Sequence, residues 1–335
     1  MTRRERVIAA LKHQETDILP YQIDLTYQAW EKVAEYLNDK DFVDKIGNHI
    51  TTCYYDADPM PIPGMDGYFK DDFGVVWNRN GADKDIGVVE KWLINEPDLS
   101  LYTFPEVPEA RLRKRCEETL ANAGDRFTCA SIGFSFFERA WTLTGMEDLL
   151  GYMITDPDFV TELFDKITAF NKKVVDIYLE YDFDCIFFGD DWGQQQGLIM
   201  GPHLWRKFVK PSLAKIYGHA KAHGRFIGQH SCGDIEEVYP DLIEIGLDAH
   251  QTFQPEIFDI AKIKAEFGDK LTFWGGISTQ RLLPFETPEN VVKESLEIMK
   301  LLGKGGGYIA APTHSIPGDV PAENIVRLIE LFKNQ

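Results

Sequence analysis

A histidine and a cysteine two residues apart, His230 and Cys232, lie in the segment Gln229-His230-Ser231-Cys232-Gly233-Asp234, directly after the apolar run Phe226-Ile227-Gly228. On extended backbone, alternate side chains share a face, so one imidazole nitrogen and one thiolate sulfur reach toward a single point. Those are the ligand types zinc favours. The alternative is a chance H-x-C in which the cysteine is a small buried apolar residue. His314 follows the apolar run Tyr308-Ile309-Ala310-Ala311 and then Pro312-Thr313. It is the natural third ligand, or else a histidine that faces substrate without metal. Two histidines and one cysteine leave a coordination position open, as catalytic zinc requires.

Two adjacent carboxylates, Asp190 and Asp191, end another apolar run, Phe187-Phe188-Gly189. A carboxylate beside an apolar wall can act as a general acid, as a further metal ligand or as the orienter of a metal-bound histidine. Either aspartate can instead cap the turn that follows. The ends of other apolar runs supply Asp24, Asp56, Ser131, His250, Gln251 and Gly275-Gly276. The glycine pair indicates backbone close to a ligand or simply a tight turn. Tyr54, Tyr55, Phe134, Phe136, Phe137, Trp192, Phe253 and Trp274 gather near the same ends. They suit stacking around an aromatic substrate, although core packing explains any one of them. Asp24, Tyr54, Phe134, Trp192, Gln251 and Trp274 are the expected substrate contacts.

The elements that must position these groups alternate. Strands are expected at Leu19–Leu25, Ile50–Tyr55, Phe127–Ile132, Asp184–Gly189, Arg225–His230, Leu247–His250, Leu271–Gly275 and Gly307–Ala311. Helices are expected at Arg111–Ala123, Asp158–Tyr181 and Pro288–Leu302, the last with Thr287 as N-cap and Pro288 at the first helical position. An amphipathic helix opens the chain. Residues 66–108 form an irregular insert with a hairpin near 66–80 and a Pro-rich loop near 97–108. Eight strands with intervening helices predict a single α/β domain over 1–335, a (β/α)8 TIM barrel with an N-terminal helical extension. A doubly wound sheet is the rival. In either fold the carboxyl ends of parallel strands hold the site.

Composition narrows the function classes. The 335 residues carry a formal charge of −19 and are 44% hydrophobic, ordinary for a globular chain. Such a surface repels nucleic acid and anionic membrane. Five widely spaced cysteines without C-x-x-C point to a reduced, cytoplasmic protein. No run approaches the ~18 apolar residues of a membrane span. Phosphate-loop, dinucleotide-binding and serine-hydrolase motifs are absent from the sequence.

Several segments together resemble the uroporphyrinogen decarboxylase superfamily. They are Gly189-Asp190-Asp191, Gln229 to Asp234, Gln254-Pro255-Glu256, Phe267 to Ile277, Ala311-Pro312-Thr313-His314 and Pro321 to Ile325. The resemblance covers most of the chain, is densest over 184–327, and implies a (β/α)8 barrel. One branch of that superfamily decarboxylates uroporphyrinogen without a cofactor. The other moves methyl groups from small substrates to the cobalt of a separate corrinoid protein, usually with zinc. Decarboxylases carry arginine in an N-terminal segment that here reads Leu19 to Tyr27 and contains neither Arg nor Lys. Arg139 and Arg281 are the basic residues that could replace it.

The methyltransferase branch is the better match, and within it Gly189 to Gln195 and Gln229 to Asp234 resemble the first methyltransferase of bacterial O-demethylase systems. That likeness implies zinc on His230, Cys232 and His314, a methoxylated aromatic substrate and a corrinoid protein as partner. It also implies Asp191 or Asp190 as the acid that assists the leaving phenolate. Thiol-methylating relatives carry Cys in place of His314, which leaves the ligand set and acceptor open. The alternatives are the cofactor-free decarboxylase and a zinc methyltransferase acting on methylthiol or methylamine compounds.

Overall fold

The computed structural model describes residues 1–55, 59–81 and 84–335. Thr2 starts the first helix, Arg3–Leu11, through a reciprocal cap: its side chain accepts from Glu5 N while the Glu5 side chain accepts from Thr2 N. Strand β1 is Ile50–Tyr54. The insert follows as a small antiparallel sheet of β2 (Met60–Pro61), β3 (Tyr68–Lys70), β4 (Val76–Asn78) and β5 (Val88–Val89). The remaining strands are β6 (Phe127–Ile132), β7 (Cys185–Gly189), β8 (Phe226–His230), β9 (Ala249–Phe253), β10 (Thr272–Ile277) and β11 (Tyr308–Pro312).

Among the described residues, β1 and β6 to β11 form one seven-stranded parallel sheet in the order β1-β6-β7-β8-β9-β10-β11. Helices such as Glu109–Ala121, Pro157–Leu179 and Pro288–Gly303 alternate with the strands, giving a TIM-barrel-like α/β fold. Thr287 accepts from Asn290 N and Pro288 occupies the first turn, as expected.

The expected first strand, Leu19–Leu25, departs from the eight-strand pattern. It makes only isolated bridges, Tyr21 to Ala310 and Leu25 to Ile316. Its physical cause is local. Pro20 has no N–H to donate. On the side facing β1, the Asn48 side chain stands in for a strand, accepting from Ile23 N and donating to the Ile23 carbonyl, both at 2.9 Å. His49 N adds one bond to the Tyr21 carbonyl. Residues 20–26 thus bridge β11 and β1 by irregular backbone, leaving a seam in the barrel wall.

Two apolar clusters hold the fold. The larger lies between sheet and helices. The smaller fills the lower lumen with Cys129, Cys185, Ala249, Ile309 and Ala311, and Val7, Ala10 and Leu11 of the first helix close it from below. Trp274 and Phe187 sit in this cluster, in edge-to-face contact at 5.5 Å. They form the floor on which the site rests. All five cysteines are free, and no described helix is long and apolar enough to cross a membrane.

Candidate active site at the barrel mouth

Above that floor is a cavity of about 310 Å³, in the size range of small-molecule sites. His230 ends β8, and Cys232 follows on the loop. His314 comes two residues after β11. One ligand atom from each of the three lies within 4.8 Å of the others. Cys232 Sγ is 3.6 Å from His230 Nε2, and the two imidazoles meet edge to face at 5.6 Å.

The surroundings orient these groups. His230 Nδ1 lies 2.6 Å from Gln251 Oε1. With that carbonyl as acceptor, Nδ1 carries the proton and Nε2 presents a lone pair toward Cys232. Asp191 Oδ1 accepts from Cys232 N at 2.8 Å and lies 3.5 Å from His230 Nε2. Burial, and then the Asp191 charge, push the Cys232 thiol up to about 12. Enclosure in the mouth and the neighbouring His230 push His314 down, although part of its ring faces solvent. Two soft or borderline nitrogens and a sulfur that needs a cation to ionise are a donor set that suits zinc.

Glycine makes the loop geometry attainable. The β8 loop touches the β7 loop at Gly233 and Gly193, and a Cβ on Gly233 would sit 2.2 Å from the Gly193 carbonyl carbon. Gly233 also has φ +80°, which L side chains rarely adopt. Gly193 N donates to the Cys232 carbonyl and Asp234 N to the Gln194 carbonyl across this contact.

The expected residues separate into those that reach the cavity and those that do not. Asp24, Tyr54, Phe134, Gln251, Trp274, Ser131 and Asp191 line it together with His230 and His314. Asp190 does not. It is fully buried and accepts from Phe136 N, Phe137 N, Glu138 N and Trp192 Nε1, so it anchors the start of the helix Phe137–Thr144. Burial raises its carboxyl to about 6 against the pull of those four donors. Trp192 is likewise buried, against Trp205, and gives no surface to a substrate.

His250 is buried between the Tyr239 hydroxyl at 2.9 Å and the Ser231 carbonyl at 3.2 Å, where it steadies the His230–Cys232 segment. Gly275 and Gly276 serve strand packing: a Cβ on Gly275 would meet Phe253 N at 2.8 Å. Asp56 lies outside the described residues. Arg139 forms a buried 2.7 Å ion pair with Asp71 of the insert, and Arg281 pairs with Glu294 on the outside. Neither lines the cavity.

Sequence reasoning missed Glu138, Gln22, Thr52 and Phe187, which also line the cavity. Glu138 matters most. Burial first, then Asp191 and Asp190, raise its carboxyl well above the ordinary range. Its only sequence signal is an acid in a helix first turn, a place where solvated glutamates are common.

Residues 82–335 match the family model described as uroporphyrinogen decarboxylase (URO-D). The chain belongs to the uroporphyrinogen decarboxylase family. Uroporphyrinogen decarboxylases of Coxiella burnetii strains are 25% identical over 186 residues, 53% of this chain. The chain spans about half the length of these curated relatives, 48%. A solved methyltransferase from Methanosarcina mazei superposes with TM-score 0.74 and 17% identity, covering 99% of this chain and 98% of that one. At that identity the likeness establishes the shared fold.

Proposed function

We propose that this member of the family is a methyltransferase that demethylates a small methoxylated aromatic and delivers the methyl group to the cobalt of a separate corrinoid protein. The convergence of His230, Cys232 and His314 within 4.8 Å at an aromatic-walled cavity carries the reading. Those three residues would hold zinc, which when bound supplies Lewis acidity at the ether oxygen. Gln251 keeps the His230 nitrogen directed at the site. Asp191 fixes the Cys232 backbone and adds negative charge beside His230. Tyr54, Phe134, Phe187 and Trp274 enclose the ring and exclude water.

The proton for the departing phenolate resides on Glu138, which is in the cavity, rather than on Asp190, which is not. Burial, and then the charges of Asp191 and Asp190, keep Glu138 protonated. This differs from the assignment expected from sequence, which placed the acid on the aspartate pair.

The reading is tested with metal-loaded protein, 1,2-dimethoxybenzene as donor and chemically reduced cobalamin as acceptor probe. Release of 2-methoxyphenol with matched loss of the Co(I) absorbance is expected, and His314→Ala should abolish both. Metal-loaded protein that leaves the ether intact, or metal-free protein that decarboxylates uroporphyrinogen, would overturn it.

A further inference from the structure

Three carboxylates line the cavity, Asp24, Glu138 and Asp191, and no described Lys or Arg does. The arginines around it are engaged elsewhere. Arg139 pairs with Asp71, Arg111 with Asp72, and Arg115 donates to the carbonyls of Tyr54 and Tyr55. Arg79 lies in the adjoining hollow beside Asp71 and Asp85, over the Phe69 ring. Even with a divalent cation on His230, Cys232 and His314 and with Glu138 protonated, Asp24, Asp191 and a Cys232 thiolate together outnumber its charge.

The remaining polar groups are neutral. Trp274 Nε1 and Gln22 Oε1 are buried without a hydrogen-bond partner, and both residues line the cavity. Both are neutral, so neither supplies a charge to meet an anion. Tyr54, Phe134, Phe187 and Trp274 add aromatic faces, which attract cations and accept neutral rings.

We propose that this cavity takes methyl donors that carry no anionic group, neutral or cationic aromatics, and rejects ring carboxylates. The inference rests on the methoxyaromatic reading and specifies its substrate class. A carboxylate on the ring would enter beside Asp24 and Asp191 with no Lys or Arg to meet it, and the charge of a bound metal would already be offset by the Cys232 thiolate and Asp191. A neutral ring meets the aromatic faces of Tyr54, Phe134, Phe187 and Trp274 instead. Burial, and then the charges of Asp191 and Asp190, raise the Glu138 carboxyl well above its ordinary range.

The test is a binding titration on the whole metal-loaded chain, read by tryptophan fluorescence and calorimetry. The probes are 1,2-dimethoxybenzene, 3,4-dimethoxybenzoate and phenyltrimethylammonium. The neutral and cationic probes should bind at least about tenfold tighter than the benzoate, a difference of about 1.4 kcal/mol. Asp24→Asn should narrow that gap by improving benzoate binding. Benzoate binding as tight as that of its neutral partner would overturn the inference, as would failure of all three to bind. Charge-selective binding without methyl transfer to reduced cobalamin would retain the selectivity and remove the transfer reading.

Discussion

At the scale of single residues, the site depends on which nitrogen of His230 is free. Gln251 Oε1 fixes that choice at 2.6 Å. Gln251→Leu should therefore lower zinc affinity by about 10–100-fold, read by competition with a chelator, while thermal stability changes little. Glu138→Gln tests the proton donor. An acid must be protonated to donate, so wild-type turnover falls as pH rises through the raised Glu138 value. The variant should lose roughly 10²–10⁴ in turnover and with it that high-pH decline. Sequence made His230, Cys232 and His314 legible because strand ends in a parallel barrel converge whatever their order. It did not separate Asp190 from Asp191. Successive residues past a strand end point to opposite sides, and only the position of the helix Phe137–Thr144 decides which one enters the core. Glu138 was silent for the same reason: its role comes from burial, which a first-turn acid does not announce.

Between elements, the site is held by two contacts. One is the touch of the β7 and β8 loops at Gly193 and Gly233. Gly233→Ala would place a methyl into backbone at a positive φ, so it should cost the fold on the order of 1–3 kcal/mol and weaken metal binding further than that loss explains. Denaturant unfolding and chelator competition on the same protein separate the two effects. The other contact is Arg139 on Asp71, which ties the small β2–β5 sheet to the helix beside the cavity. Arg139 also lies over the Phe73 ring at 4.2 Å. Removing one member of a buried pair leaves the other charge unpaired, typically at about 3–5 kcal/mol. Asp71→Ala should thus speed proteolysis and amide exchange within 60–90 before the barrel itself opens. The insert was legible only as irregular sequence with a hairpin. Its strands are too short for periodicity to register, and its anchor is a long-range ion pair. The first-strand expectation failed because Asn48 replaces a strand edge with a side chain.

For the whole molecule, buried histidines set the response to acid. Burial pushes His250 down to about 4 from an ordinary 6.5. Between those values the unfolded chain binds the proton and the folded chain does not. Stability therefore falls as pH drops from about 6.5 to 4, by on the order of 3 kcal/mol from this group. His250→Gln should lower stability at pH 7, since Tyr239 and Ser231 lose their partner, yet flatten that acid slope in urea unfolding. Fold class was legible at this scale because seven strands in strict alternation with helices leave few topologies. Lumen packing was not, since the plug of Val7, Ala10 and Leu11 comes from a helix whose amphipathic face suits any docking site. The most direct measurement on the whole is metal content, by elemental analysis, of wild type and Cys232→Ala prepared without chelator. About one zinc per chain in wild type, lost in the variant, is the expected result. Wild-type protein that takes up no zinc when it is supplied, or a Cys232→Ala variant that retains it fully, would contradict a metal-dependent methyl transfer at this site.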